Sequence, residues 1–299
     1  MRRPHISSQR LVLSLLAILG LLVLGAGGGQ AADPFVAGGR STRPVPAAAD
    51  QLDHAGAEGR ALAVALGVPA VSQKTVRLDD QFEHRTYDEV TSYDAAGRQV
   101  GIARFDLDGS VAMAVSLGWH PSGGRPIDSA AATDRAAGFA RAAGVAVLGK
   151  PSIRASAGAG GWSIDWPRVV GGVPVRGDGV RILLFPDGAF HGLTQSRRPL
   201  AAVPARSLTA AAARAAAGAA IGQRFGPLAD DLRITAVEQA WLAGNDQFGP
   251  SRLDAPSETV RLAWIIRLDS RGQLAERIRS VEIWIDATDG GVLGGDTVE

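Results

Sequence analysis

The first candidates for chemistry in this sequence are clustered carboxylates. Asp79, Asp80 and Glu83 lie close together, and the residues around them are basic: Arg77, His84 and Arg85. A pair of carboxylates can act as general acid and general base in a hydrolysis. A hydrolase that uses these three residues is therefore one hypothesis. The other hypothesis is a solvated, charged strand edge, which charge clusters of this kind form more often.

Other catalytic and metal-binding motifs are absent or incomplete. The chain has no cysteine, no HExxH and no GxSxG, which excludes thiolate chemistry and two common hydrolase signatures. Residues 144–150 resemble a phosphate-binding loop, but Pro151 stands where that loop needs a hydroxyl. Residues 106–109 resemble the start of a calcium loop without its later acidic ligands. The histidines of the chain's main part lack ligand spacing: His54, His84, His120 and His191. We predict no catalytic residue, no cofactor and no metal site.

The N-terminal residues predict an extracytoplasmic protein. Arg2 and Arg3 precede an almost wholly apolar run from 11 to 24, and small residues follow up to Ala32. This is the layout of a cleaved secretory signal over 1–32. An uncleaved membrane anchor is the alternative, because the uncharged segment 11–32 is long enough to span a bilayer. The net charge of +1 argues against a nucleic-acid partner.

The elements that would position any site repeat along the chain. An apolar run, an Asp-Gly turn and a second run occur at 100–115, at 180–193 and at 281–293. Asp-Gly between strand-like runs predicts a β-hairpin, because glycine adopts the positive φ of the turn without steric strain. We expect that conformation at Gly188 and Gly290. An Ala-rich helical stretch precedes each hairpin, starting near residues 47, 129 and 209.

This repetition predicts an α+β fold after a linker at 33–46. Three units follow, each an N-terminal helix packed on a small antiparallel β-sheet: unit 1 (47–120), unit 2 (126–200) and unit 3 (206–299). In unit 3, apolar side chains at 260, 262, 264, 266 and 268 alternate with Arg261, Ala263, Ile265 and Arg267. This alternation predicts one buried face and one solvent face.

Units 2 and 3 resemble the PepSY and fungalysin/thermolysin-propeptide (FTP) group. Residues 166–180 contain an aromatic residue, Arg168 and a Gly-Val-Pro-Val run, and an Asp-Gly turn follows at 187–188. Residues 262–264 and 284–293 are similar to the closing phrase of the group, "aW…v.vDA.tG.vl". The resemblance covers about 128–296 and implies tandem cystatin-like units that are not catalytic. Such modules act as protease propeptides, inhibitors, or envelope and sensor domains. Since no protease domain follows, we expect any inhibition to act in trans.

We therefore predict an exported binding or regulatory module of the cell envelope that recognises a protein or peptide partner, with a protease acted on in trans as one case. A sheet face, a sheet edge or a loop would dock the partner. The longest irregular segment, 242–259, is the predicted docking loop. Its candidate contact residues are Trp241, Asn245, Asp246, Phe248 and Arg252.

Two alternative functions come from other classes. One is a membrane-tethered sensor or accessory domain that regulates a partner, and the other is the hydrolase described above. Tryptophans on predicted strands could line a ligand groove, although packing in a core or on a sheet is the usual role of such residues. They are Trp162, Trp166, Trp264 and Trp284.

Overall fold

The fold joins three helices to one large sheet. The computed structural model describes residues 42–80, 85–117, 124–155, 161–245 and 259–298. Within these ranges the helices are α1 (Ala49–Ala65), α2 (Ser129–Ala142) and α3 (Ala210–Phe225). The strands are β1 (Thr42–Pro44), β2 (Ser72–Asp80), β3 (Arg85–Tyr93), β4 (Gln99–Asp106), β5 (Val111–Ser116), β6 (Ser152–Ala155), β7 (Trp162–Val170), β8 (Val173–Leu184), β9 (Phe190–Ser196), β10 (Leu232–Leu242), β11 (Arg261–Ser270), β12 (Ser280–Asp286) and β13 (Val292–Val298). The predicted α+β class is confirmed.

Each unit contains one helix followed by four consecutive strands. These strands are β2–β5 in unit 1, β6–β9 in unit 2 and β10–β13 in unit 3, and neighbours within a unit pair antiparallel. The units join edge to edge, in the order β1-β2-β3-β4-β5-β9-β8-β10-β11-β12-β13, with β7 and then β6 beside β8. Residues 42–44 of the predicted linker form β1, which pairs with β2.

Capping side chains and buried small residues explain the helices. Asp128 accepts a hydrogen bond from the Ala131 amide at 2.8 Å, and Thr209 accepts one from the Ala212 amide at 3.2 Å. One face of α2 is built from three fully buried alanines, so the helix lies close to the sheet. On α1, a Cβ at Gly59 would lie 2.6 Å from Cγ1 of Val90, so the glycine permits that close contact.

The three Asp-Gly hairpins share one register. Gly109, Gly188 and Gly290 have φ of 83°, 80° and 79°, which confirms the predicted turn conformation at Gly188 and Gly290. A β-bulge follows each turn at the same place, so equivalent residues can be counted from the turn glycine. The residues four positions after it are Met113, Gly192 and Gly294, and those five positions after it are Ala114, Leu193 and Gly295. The hairpins are therefore structural repeats.

Two helix-covered cores are present in the described residues. The first is continuous across units 1 and 2, because α1, α2 and strands of both units contribute to it. The second lies between α3 and the strands β11 and β12 of unit 3.

The prediction that one face of β11 is exposed to solvent was wrong. Ala263 and Ile265 are buried as completely as Ile266 on the helix side. They pack with Ala240, Leu242 and Leu293 on the face opposite α3. The two-residue alternation is present, but both faces of the strand are covered in this unit.

The predicted signal or anchor at 1–32 lies outside the described residues. Among the described helices, none combines the length and the apolar character that a membrane span requires.

Candidate functional site

The described carboxylates of the acidic cluster point to opposite faces of β2. Asp79 accepts hydrogen bonds from Arg43 Nε at 3.2 Å and from Thr86 Oγ1 at 3.4 Å. Asp80 is buried and accepts one from the Tyr87 hydroxyl at 3.3 Å. Successive side chains on a strand alternate between faces. Asp79 and Asp80 therefore do not form an acid–base pair, and Glu83 lies outside the described residues.

Arginines pair with strand carboxylates of unit 1 at Asp88 and Glu89. Arg77 binds Asp88 through two hydrogen bonds of 2.7 and 2.9 Å, and the hydrogen bond to Asp88 raises the pKa of Arg77. Arg104 donates to Glu89 at 2.9 Å and lies 4.5 Å from the centre of the Tyr87 ring. These contacts are cross-strand stabilisation of a sheet surface.

The motif residues of unit 2 form a buried ion network around Asp178. The Asp178 side chain is fully buried and accepts hydrogen bonds from Nε and the backbone N–H of Arg198, at 2.6 and 2.9 Å. It also accepts from Arg168 Nη1 and from the Ser196 hydroxyl, both at 3.2 Å. Arg168 donates in addition to the Arg198 carbonyl at 2.6 Å. The network fastens the chain that leaves β9 to the β7–β8 hairpin.

The aspartate of the closing motif in unit 3 has an equivalent structural role. Asp286 is buried, and its carboxylate lies 2.7 Å from Arg261 Nη2 and accepts the Thr288 amide at 2.7 Å. The indole N–H of Trp264 donates to the Leu208 carbonyl at 2.9 Å, which ties the sheet to the residue that precedes the N-cap of α3. Both motif residues therefore hold backbone in position.

A contact that we call the seam joins units 2 and 3. It contains the parallel pair Val175–Trp241 and a parallel bridge between Leu200 and Val260. Val175, Trp241 and Val260 form a buried apolar cluster there. Trp241 is 2% exposed, and its indole N–H has no hydrogen-bond partner among the described residues.

An ion cluster crosses the seam on the sheet surface. Arg176 of β8 donates to Glu282 at 2.6 Å and to Glu238 at 3.0 Å. Arg267 of β11 donates to Glu282 at 2.6 and 3.0 Å. Burial opposes ionisation of Glu282, but the hydrogen bonds from Arg176 and Arg267 outweigh it and lower the pKa of the carboxyl. Arg176 thus links two units through a shared carboxylate.

Two of the predicted docking residues are part of the folded framework. Trp241 is buried in the seam, and the Asn245 side chain is hydrogen-bonded to Gly295 of β13. Asp246, Phe248 and Arg252 lie outside the described residues. The docking role of the loop stays a prediction.

Among the remaining candidates, His191 and the strand tryptophans are packing residues, whereas His54 is exposed on α1. His191 stacks on Phe185 with ring centres 4.5 Å apart, and burial lowers its pKa. His84 and His120 lie outside the described residues. Trp166 belongs to the first core, and the other strand tryptophans, Trp162, Trp264 and Trp284, are partly buried against cores.

In the ranges that the structure describes, no group of three or more His, Asp or Glu residues is placed to hold a metal. A cavity of about 20 Å³ lies between α1 and the sheet, lined by apolar residues that include Leu62, Leu66 and Phe190. This volume suits about one water molecule.

Sequence reasoning missed the seam and its ion cluster. A signal for half of it exists, since Arg267 and Glu282 sit on adjacent strands of one hairpin and opposite charges often pair across strands. Arg176 and Arg198 gave no such local signal, because Arg176 pairs with carboxylates of unit 3, and Asp178, the partner of Arg198, lies 20 residues earlier on β8.

No family model matches the chain, and no curated protein matches it. Among solved structures it is similar to the "Bacillus megaterium YpeB C-terminal domain" at 11% identity, with a TM-score of 0.45, over 86% of this chain and 99% of that one. A similarity at this level carries no argument about function.

Proposed function

We propose that this chain is an exported, non-catalytic binding or regulatory module of the cell envelope, built from tandem PepSY-like, cystatin-like units. The observation that carries the proposal is the structural use of charged residues within and beside the motifs. Asp178, Asp286 and Glu282 each accept hydrogen bonds from arginines or backbone and fix the geometry of hairpins and junctions. Charged side chains that hold hairpins and junctions in place suit a rigid recognition scaffold, whereas a catalytic centre needs a converging nucleophile, base and orienting group.

The edge strand β6 is the surface that suits partner binding. Its four residues, Ser152–Ala155, are exposed, and among described strands it pairs with β7 alone. Exposed apolar side chains lie at Leu148 and Ile153, on or near the strand. An extended peptide can add to such an edge through backbone hydrogen bonds, while side-chain contacts give specificity. A protease acted on in trans is one class of partner that presents extended segments.

Capture of partners from cell envelope tests this proposal. The chain without residues 1–32 is immobilised and exposed to a detergent extract of the envelope. We expect the parent to capture a specific protein and Ile153→Asp to lose that capture. Val203→Asp is the matched control, because it makes the same change at an exposed β-branched residue away from β6, and it should retain capture. Equal capture by both variants would exclude the β6 edge as the binding surface. If the parent captures no specific protein, the binding proposal is contradicted.

Two further measurements separate the alternative functions. Purified protein is assayed for peptide, ester and glycoside hydrolysis, and turnover abolished by Asp79→Asn or Asp80→Asn would replace the proposal with a hydrolase. Cell fractionation with an alkaline wash locates the chain. Retention in the washed membranes would favour the tethered sensor, whereas release with the soluble extracytoplasmic fraction is expected for the exported module.

A further inference from the structure

The last strands of units 1 and 2 pair with each other in a symmetric register. The pairs are Met113–Thr194, Ala114–Leu193 and Val115–Gly192. Counted from the turn glycines Gly109 and Gly188, position four pairs with position six, and position five pairs with position five. The contact is therefore self-complementary about position five, as an isologous interface is.

Among the described residues, the equivalent edge of unit 3 is occupied by the side chain of Asn245. Position five is Gly295, whose carbonyl accepts a hydrogen bond from Asn245 Nδ2 at 2.7 Å and whose N–H donates to Asn245 Oδ1 at 2.9 Å. The Asn245 backbone N–H donates to the Leu293 carbonyl at 2.9 Å. A side-chain amide offers one donor group and one acceptor, like a peptide group. Asn245 thus makes with Gly295 the two-bond exchange that a residue of a paired antiparallel strand makes.

The glycines of β13 are shaped to receive this side chain. A Cβ on Gly294 would lie 2.1 Å from Asn245 Oδ1, and Gly294 has φ of 141°, which side-chain-bearing residues rarely adopt. Asn245 is also the sole asparagine of the chain. The fit between this residue and the glycine pair is specific.

We propose that β13 is a latent pairing edge that Asn245 keeps closed, and that its occupant after release of Asn245 is β13 of a second copy of this chain. Two observations select that occupant. The β5–β9 pairing shows that this edge of the repeat is self-complementary. In the same register Asp296, at position six, lies opposite Gly294 of the second copy, so no two carboxylates are directly opposed. Unpaired strand edges associate readily, and proteins block them where association is unwanted.

The test compares two amide-to-alanine variants in the same unit. Asn245→Ala removes the side-chain amide that caps the edge of β13, whereas Gln239→Ala removes an exposed amide on β10 that contacts Ser207. Sedimentation velocity is measured for both variants and the parent over a wide concentration range. We expect the parent and Gln239→Ala to sediment alike and Asn245→Ala to show an added dimer that grows with concentration.

A second variant locates the contact. The Gly295 N–H points to Asn245, away from β12, so Gly295→Pro removes the outward donor and keeps the β12 pairing. The double variant Asn245→Ala/Gly295→Pro should return to the sedimentation of the parent. A dimer that persists in the double variant would overturn the proposal, as would a folded Asn245→Ala variant that sediments like the parent throughout.

Asn245→Asp covers the case in which Asn245→Ala does not fold. The carboxylate keeps the size of the side chain, but it cannot donate to the Gly295 carbonyl, and repulsion between the two oxygens drives the side chain off the β13 edge. Circular dichroism establishes folding, and the same dimer is expected. A folded, non-associating Asn245→Asp variant would contradict the proposal. Partner capture through β6 is unaffected by either result, because that edge belongs to unit 2.

Discussion

The junction between units 1 and 2 and the junction between units 2 and 3 are built differently. At the first, β5 and β9 pair antiparallel over three residues, and one apolar core extends beneath both units. At the second, the backbone contacts are the parallel pair Val175–Trp241 and the parallel bridge Leu200–Val260, supported by an apolar cluster and by the ion pairs of Arg176.

This difference indicates two folding bodies in a chain of three repeats. Units 1 and 2 bury each other's apolar surface, so neither core is complete without the other. Unit 3 has its own helix-covered core and contacts unit 2 through a narrow seam. The same repeat is therefore used once to extend a core and once to dock a neighbour.

Shortening a buried side chain at the first junction should have the largest effect on stability. Leu193 is buried at the centre of the β5–β9 pairing. Leu193→Ala should lower the free energy of unfolding by about 2–5 kcal/mol, the usual range for a buried leucine. Hydrogen exchange should accelerate in β5 and β9 together. Leu268→Ala, the matched change in the core of unit 3, should leave both strands unaffected, and acceleration confined to unit 2 would refute a shared core.

Substitution of the turn glycines should distinguish a tightly packed hairpin from an open one. Val at Gly188 or Gly290 is strained by positive φ, at about 1–3 kcal/mol. At Gly188 the new Cβ would also lie 2.5 Å from Ile127 Cδ1 and 2.7 Å from Arg135 Cδ, whereas at Gly290 the nearest atom is Leu208 Cδ1 at 3.2 Å. Urea unfolding should therefore show a larger loss for Gly188→Val. Equal losses would mean that the turn in unit 2 is not packed against α2.

Removal of the buried Asp178 carboxylate should destabilise the chain without affecting partner capture. Asp178→Ala leaves Arg168 and Arg198 without their common partner, which should lower the free energy of unfolding by about 2–3 kcal/mol. The value is below that of a fully buried pair, because both arginines are partly exposed. Asp134→Ala, at an exposed site on α2, is the control. A stable Asp178→Ala variant that loses partner capture would instead assign Asp178 to recognition.

Substitution of the two arginines that share Glu282 should show which ion pair holds unit 3 to unit 2. Arg176→Gln and Arg267→Gln should each change the free energy of unfolding by about 0.5–1 kcal/mol, as expected for partly exposed ion pairs. Only Arg176 crosses the seam, so only Arg176→Gln should increase proteolytic cleavage within 197–206. The same cleavage pattern in both variants would show that the ion cluster does not hold unit 3 to unit 2.

The contribution of Glu282 should depend on pH in one direction. The pKa of this carboxyl is lowered from 4.5 in the folded chain, so its ion pairs stabilise fully above pH 4.5 and are lost as the pH falls below that value. The difference in stability between the parent and Arg176→Gln should therefore shrink on acidification below 4.5. If the difference in stability between the parent and Arg176→Gln stays constant down to acid pH, Arg176 does not stabilise the chain through Glu282.

Local features of this fold could be predicted from the sequence. The helices near 47, 129 and 209 and the positive φ at Gly188 and Gly290 depend on residues that are neighbours in the chain. Strand β6 was missed, because Ser152–Ala155 is short, exposed throughout and without apolar alternation.

Contacts between units could not be predicted in the same way. The β5–β9 pairing, the seam and the Asn245 cap each join residues far apart in the chain, and no local pattern specifies which edges meet. Asn245 illustrates the limit: a loop position with a polar side chain suggested docking, whereas its amide is bonded to β13. The burial of Ile265 likewise depends on residues from other strands.

Scanning calorimetry of the chain tests the division into two bodies most directly. We expect two transitions, one shifted by Leu193→Ala and not by Leu268→Ala, and the other shifted by Leu268→Ala and not by Leu193→Ala. A single transition that both variants shift equally, or three transitions of which Leu193→Ala shifts the one of unit 2 alone, would contradict it.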